Sequence, residues 1–275
     1  MSNIVSMALC RIKNNDKLEY NTDQGADNTF KLYSSMSEIV CESVDTFLEG
    51  DWDFEIIENE VDSYQEVFDK NFGEVYEMWD GGKNNILFLD LDTIMLKPVN
   101  VFDQLEHFQM FNYTDPKTLG GKDANNKYGL QHQHYFNAGV RYYPKTMSQE
   151  VWDLGWKYAN DWDYNIWGTE QIIFNEMMYS ENKDVNQWHN PTMNFQMMNA
   201  VPQAISNPHY IAQIEAWNGA NIDDAKIMHL HGTRGADKTV MTQWQLWKQV
   251  TGDEFEFEHI NIVQDNGMAV EVEYK

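Results

Sequence analysis

The 275-residue chain carries 19 basic and 44 acidic side chains, a formal net charge of −25, and is 42% hydrophobic and 14% aromatic. That apolar content excludes a disordered chain, and the length allows one large domain or two small ones with a substantial core. The charge opposes direct binding to nucleic acid or to an anionic membrane, and no Lys/Arg cluster offsets it; an anionic ligand would need a metal ion to neutralise part of it.

No apolar run is long enough to span a membrane, so no membrane insertion is expected. The stretch MSNIVSMALCRIKNN has no basic region ahead of its apolar residues, against a secretory signal. Cys10 and Cys41 are too few for a disulfide framework. A soluble, cytoplasmic protein is expected, with a homo-oligomer left open.

NIVSMALC predicts a first strand, and a helical pattern follows over residues 33–48. DFEIIENE predicts a second strand. Residues 66–79 read as a helix stopped by Gly81-Gly82. NNILFLDLDTIML, residues 84–96, contains a third, buried strand at Ile86 to Leu89. Strands alternating with helices imply an α/β fold, a mixed and mainly parallel sheet flanked by helices. Thr169 is suited to cap a helix over 170–179. Eight of the ten tryptophans lie beyond Ser148. Most belong to a core by their size. The tail alternates about Asn266-Gly267, which predicts a hairpin of residues 255–263 and 268–274 around a type I′ turn. Residues 1–250 read as one domain, and 251–275 as a hairpin extension packed on it or on a partner.

Asp90 and Asp92 interrupt the third apolar run. On a strand, residues two apart share a side, with Cα atoms about 6–7 Å apart. Two such carboxylates repel, and a cation relieves the repulsion. In open α/β sheets ligands bind beyond the carboxyl ends of strands. A hard divalent ion held there by one or two carboxylates completes its shell with water and substrate phosphates. The same triplet recurs at Asp51–Asp53 and Asp161–Asp163, but in polar surroundings where aspartates serve as turn and cap residues.

DLDT after an apolar strand resembles two families. One is the haloacid-dehalogenase phosphatases, whose first aspartate is a covalent nucleophile. The other is the GT-A glycosyltransferases, whose Asp-x-Asp holds a metal. The phosphatase motif lies near the start of its chain and continues with glycine; here Thr93 follows, and Asp223-Asp224, the candidate for the later strand-end pair of acids, has no clear apolar strand leading into it. In contrast, ILFLDLDTIMLKPVNVFDQL, YFNAGVRYYP (135–144), TEQIIFN (169–175), NPTMNFQ and IMHLHGTRG occur in order between about residues 65 and 250. Their order and rough spacing resemble the family 8 retaining glycosyltransferases, the relatives of glycogenin and lipopolysaccharide galactosyltransferases.

This resemblance implies a nucleotide-sugar donor, most often UDP-linked, an unknown carbohydrate or other hydroxyl acceptor, Mn²⁺ or Mg²⁺ as cofactor, and retention of anomeric configuration. It implies metal ligands at Asp90, Asp92 and His229, with His231 close but not ligating. Asn137, Glu170 and Gln171 would serve catalysis. Donor contacts would come from Ala8, Lys70, Leu91, Gly139, Gly232 and Arg234. Two positions depart from the pattern: Gly235 stands where the family has a lysine, and Glu170 where it has an aspartate. Each residue also has a plainer reading. Asn137 also suits a turn, Glu170 and Gln171 suit a helix start where negative charge is favoured, and Lys70 suits solvent. The phosphatase, with Asp90 as nucleophile, and a non-catalytic carbohydrate-binding relative remain the alternatives.

Overall fold

The computed structural model describes residues 2–12, 26–102, 105–114, 135–161, 169–181, 189–198, 201–230 and 235–275. In chain order the elements are β1 (Asn3–Ile12), α1 (Ala26–Phe47), β2 (Asp53–Val61), α2 (Tyr64–Trp79), β3 (Asn85–Leu89), β4 (Thr93–Met95), β5 (Gln109–Met110), β6 (Tyr113–Thr114), β7 (Tyr135–Phe136), β8 (Val140–Tyr143), α3 (Gln149–Asp161), α4 (Thr169–Glu181), β9 (Phe195–Gln196), α5 (Pro208–Asn218), β10 (Ile227–His229), α6 (Ala236–Thr251), β11 (Ile260–Asp265) and β12 (Met268–Tyr274).

The central sheet has the order β2-β1-β3-β8-β5. Its first three strands are parallel, and β8 runs antiparallel to both β3 and β5. The sheet is therefore mixed, as expected, and β3 is its middle strand. All five β3 residues are buried. Ile86 and Phe88 face α2, α3 and α4 through Phe72, Trp152 and Phe174. Leu87 and Leu89 face α1 through Val40 and Val44. Cover on both faces explains the unbroken apolar run, and each such side chain contributes about 1.5–3 kcal/mol by leaving water.

Local chemistry sets the flanking boundaries. Ser63 caps α2, its hydroxyl accepting from the Glu66 N–H, while Glu66 accepts from the Asp62 N–H. The helix closes on Asp80 at φ 48, followed by Gly81 at φ 63 and Gly82 at φ 87. A three-stranded sheet, β4-β10-β9, lies beside the central one. Its β10 pairs antiparallel with β4, and His229 lies opposite Thr93.

The tail is the expected hairpin. Asn266 (φ 51) and Gly267 (φ 83) both take the positive φ that a type I′ turn demands, and β11 pairs antiparallel with β12. However, β11 begins only at Ile260, because Phe255 and Phe257 pack against each other and Phe255 lies edge-on to Trp247. Ile260 and Ala269 enter the cluster formed by α1 and α6. The Lys31 ammonium donates to the Lys275 carbonyl at 2.7 Å, and the Glu258 N–H to the Glu38 carboxylate at 2.9 Å. Among the described residues, no helix is long and apolar enough to cross a membrane.

Candidate metal centre

The two aspartates do not lie on a strand. Strand β3 ends at Leu89, and Asp90 to Thr93 form a tight turn into β4, with the Thr93 N–H and hydroxyl both donating to the Asp90 carbonyl at 3.1 and 2.8 Å. The carboxylates share a side through the turn and not through strand alternation, which corrects the sequence-based reason while keeping its result. The turn is held from three directions. The Asp90 N–H donates to the Gly139 carbonyl at 2.8 Å, and the Leu230 N–H to the Asp92 carbonyl at 2.8 Å. The Gln243 side-chain amide, on α6, donates to the carbonyls of Leu91 and Thr93, each at 2.8 Å.

Pairing of β10 with β4 brings His229 to this turn. Its Nε2 lies 3.1 Å from the Asp92 carboxylate. One ligand atom each from Asp90, Asp92 and His229 falls within 4.8 Å of the others. Two carboxylates and an imidazole suit Mn²⁺ or Mg²⁺ in hardness, with the imidazole favouring the former, so these residues fit the ion implied by the sequence.

The histidine is oriented from behind. Its Nδ1 is 2.9 Å from the Asn137 side-chain oxygen, which also accepts from the Gly139 N–H at 2.9 Å and from Asn194 at 3.0 Å. An amide oxygen accepts only, so Nδ1 carries the proton and Nε2 is left as the ligand atom. Gly139 makes room: a Cβ there would sit 2.2 Å from the ring Cε1. Asn137 is therefore buried with its oxygen committed to the histidine.

Gln171 is buried, its oxygen accepts weakly from the Ala138 N–H at 3.3 Å, and its Nε2 has no partner among the described residues. Glu170 begins α4 with its side chain reached by solvent. The surrounding protein nevertheless raises its pKa, with the charge of Asp90 adding to this and Arg141 opposing it. Ala8 lies two residues past the last β1–β3 pair, Ser6 with Phe88, level with Asp90. Leu91 is half-buried in the turn. Lys70 is exposed and donates to the Glu60 carbonyl at 3.0 Å. Gly232, Arg234 and His231 lie outside the described residues. Sequence reading missed Gln243, Asn194 as a partner of Asn137, and Arg141, which sits 3.4 Å from the Asp90 carboxylate; none has a local signal, because each acts across a long sequence separation. A second donor group, Glu38, Glu258 and His259, lies where the hairpin meets α1, away from this turn.

Charge here responds to pH. Burial alone would lower the His229 pKa, but Asp92, by charge and hydrogen bond, and Asp90 outweigh it and carry it above the ordinary 6.5. A raised histidine pKa stabilises the ion-free fold fully below the ordinary value, and this is lost as pH rises through the raised one. Ion binding needs the neutral ring. Affinity for Mn²⁺ should therefore increase as pH rises through the raised His229 pKa and level off above it, with proton release. Calorimetry in buffers of differing ionisation enthalpy measures both, and a pH-independent affinity would refute the coupling.

No protein-family model and no curated protein matches the chain. Among solved structures it is similar to the bifunctional glycosyltransferase WbbM in its apo form, at 10% identity and a TM-score of 0.51, over 91% of this chain and 50% of that one. It is also similar to the galactosyltransferase LgtC in complex with donor and acceptor sugar analogs, at 13% identity and a TM-score of 0.43, over 93% of this chain and 98% of that one. Mouse xyloside xylosyltransferase 1 follows at 13% identity and a TM-score of 0.46, over 84% and 98%. The chain thus spans half the length of WbbM, and at such identities the likeness speaks for the fold, which is the mixed α/β GT-A fold of glycosyltransferases.

Proposed function

We propose that the chain is a metal-dependent glycosyltransferase that moves a sugar from a nucleotide-sugar donor, UDP-linked by resemblance, to a hydroxyl acceptor. The observation that carries this reading is the convergence of Asp90, Asp92 and His229 just beyond the carboxyl end of the middle strand. A divalent ion bound there would act as a Lewis acid toward the negative charge that develops on the leaving diphosphate. The chain's own residues have distinct tasks. Asp90 and Asp92 present oxygens from a turn whose backbone is fixed by Gln243, Leu230 and Gly139. Asn137 parks the Nδ1 proton of His229. Gln171, whose Nε2 has no partner among the described residues, would donate to a sugar hydroxyl, and the Glu170 carboxylate would stabilise an oxocarbenium-like sugar. Residues 1–250 form the catalytic unit in this reading, and the hairpin supports it.

The test is a panel of nucleotide-sugars with Mn²⁺, scored by melting temperature and by nucleotide release; binding to the native state raises the melting point by mass action. No response to any donor would sink the proposal. By resemblance the product keeps the donor's anomeric configuration, and NMR of the product anomer checks this; an inverted product would separate the chain from the retaining enzymes.

The phosphatase alternative loses its second acidic pair. Asp223 and Asp224 are exposed in the turn ahead of β10, at the end of that strand opposite His229. Asp90 should accordingly not trap beryllofluoride, as mass spectrometry and melting curves would show.

A further inference from the structure

Arg141 lies on β8 directly opposite Phe88, so its side chain runs over the same sheet face toward the end of β3. It is 8% exposed. Its guanidinium carbon lies 4.2 Å from the centroid of the Phe88 ring and 4.6 Å from that of Phe174. A flat cation covered by two aromatic rings is held in place by their quadrupoles and by sterics. One edge meets Asp90, with Nη2 3.4 Å from Oδ1, and Nε has no hydrogen-bond partner among the described residues.

The placement is costly. Burying a guanidinium with an unsatisfied N–H opposes folding, and a divalent ion would neutralise Asp90 without it. A fixed positive charge beside a cation site also repels the cation. Its presence therefore demands a task other than neutralising Asp90.

We propose that Arg141 is a positioning and charge-setting residue of the ion site: it occupies one oxygen of Asp90 and keeps the site one unit more positive than its ligands alone would. This rests on the metal-dependent transferase reading. Asp90 and Asp92 contribute −2, and a divalent ion with a neutral His229 brings the sum to 0. Arg141 makes it +1. The ion is then held less tightly, because Asp90 shares its charge with the guanidinium, and the excess charge is left for an anionic leaving group.

The test is Mn²⁺ titration by calorimetry at one pH near 8, on the full chain and its variants, with steady-state turnover alongside. Arg141→Met should bind Mn²⁺ at least about tenfold more tightly, since removing a unit charge a few ångströms away at an effective dielectric of about 20 exceeds that factor. Its kcat should fall while its Mn²⁺ requirement shifts to lower concentration, a split that a simple loss of packing would not produce. Arg141→Lys, which keeps the charge but not the planar stack, should retain near-wild-type Mn²⁺ affinity even where its stability falls, and Arg141→Gln provides a second neutral variant if methionine fails to fold. Unchanged or weaker Mn²⁺ binding in the neutral variants, or a lysine variant that behaves like them, overturns the inference. Asp90→Asn separates the two levels: if it binds Mn²⁺ like wild type, the metal reading itself fails, whereas loss of binding in Asp90→Asn with no change in Arg141→Met defeats the inference alone.

Discussion

Asp90→Asn should abolish Mn²⁺ binding and lower turnover by on the order of a thousandfold, the scale of removing one preorganised electrostatic element from a transition state. Asp92→Asn should do the same to binding and turnover, but the two should differ in fold stability. Asp90 faces the buried Arg141 guanidinium, and removing one partner of such a pair leaves the other charge stranded. The full cost for buried pairs is several kcal/mol, which is discounted here to about 1–2 kcal/mol because the Asp90 side chain is 39% exposed. Asp92 is paired with His229, which can shed its proton, so Asp92→Asn should melt within a few degrees of wild type without metal. Calorimetry with Mn²⁺ and metal-free melting curves test both parts. Full metal-dependent turnover in Asp90→Asn would defeat the central claim.

Gly139→Ala should be nearly as damaging without touching a ligand atom. Its added Cβ would fall 2.2 Å from Cε1 and 2.4 Å from Nδ1 of His229, closer than carbon atoms approach. The ring must move, and movement breaks both the Nδ1 contact with Asn137 and the Nε2 contact with Asp92. Overpacking of this kind costs roughly 1–3 kcal/mol, or about 2–12 °C in melting temperature for a chain of this size. Mn²⁺ should no longer raise the melting point. Adding His229→Ala to Gly139→Ala should restore part of the metal-free stability by removing the clash, although not ion binding. A Gly139→Ala protein that binds Mn²⁺ normally would show that the ring has room.

The legible parts of the sequence were those encoded locally. Ile86 to Leu89 is apolar on both faces because helices cover both, and Asn266-Gly267 is nearly diagnostic of its turn. The extent of α1 was not legible: residues 26–32 mix polar Asp27, Asn28, Thr29 and Lys31 with Ala26, Phe30 and Leu32, and the burial of Thr29 and Leu32 shows only once the helix packs. The alternation of EFEFEH resembled a strand, yet its phenylalanines pack on each other and on Trp247 without a ladder. At the site, Asp90, Asp92 and His229 were legible because a resemblance joined fragments more than a hundred residues apart. The reason they converge was not, since it depends on a turn and on the antiparallel pairing of β4 with β10. Arg141 and Gln243 had no local signature, because their partners lie 51 residues away in one case, and 152 and 150 in the other.

The docking of the hairpin on α6 ties the far end of the chain to the aspartate turn. Ile260 and Ala269 share a cluster with Val240, Trp244 and Trp247, and the same helix extends Gln243 to the carbonyls on either side of Asp92. Local opening of a protein occurs in cooperative units and not residue by residue. Loosening of the tail should therefore reach the aspartate turn through Gln243: in a chain shortened before residue 255, amides at 91–93 should exchange faster with solvent while the central sheet keeps its protection.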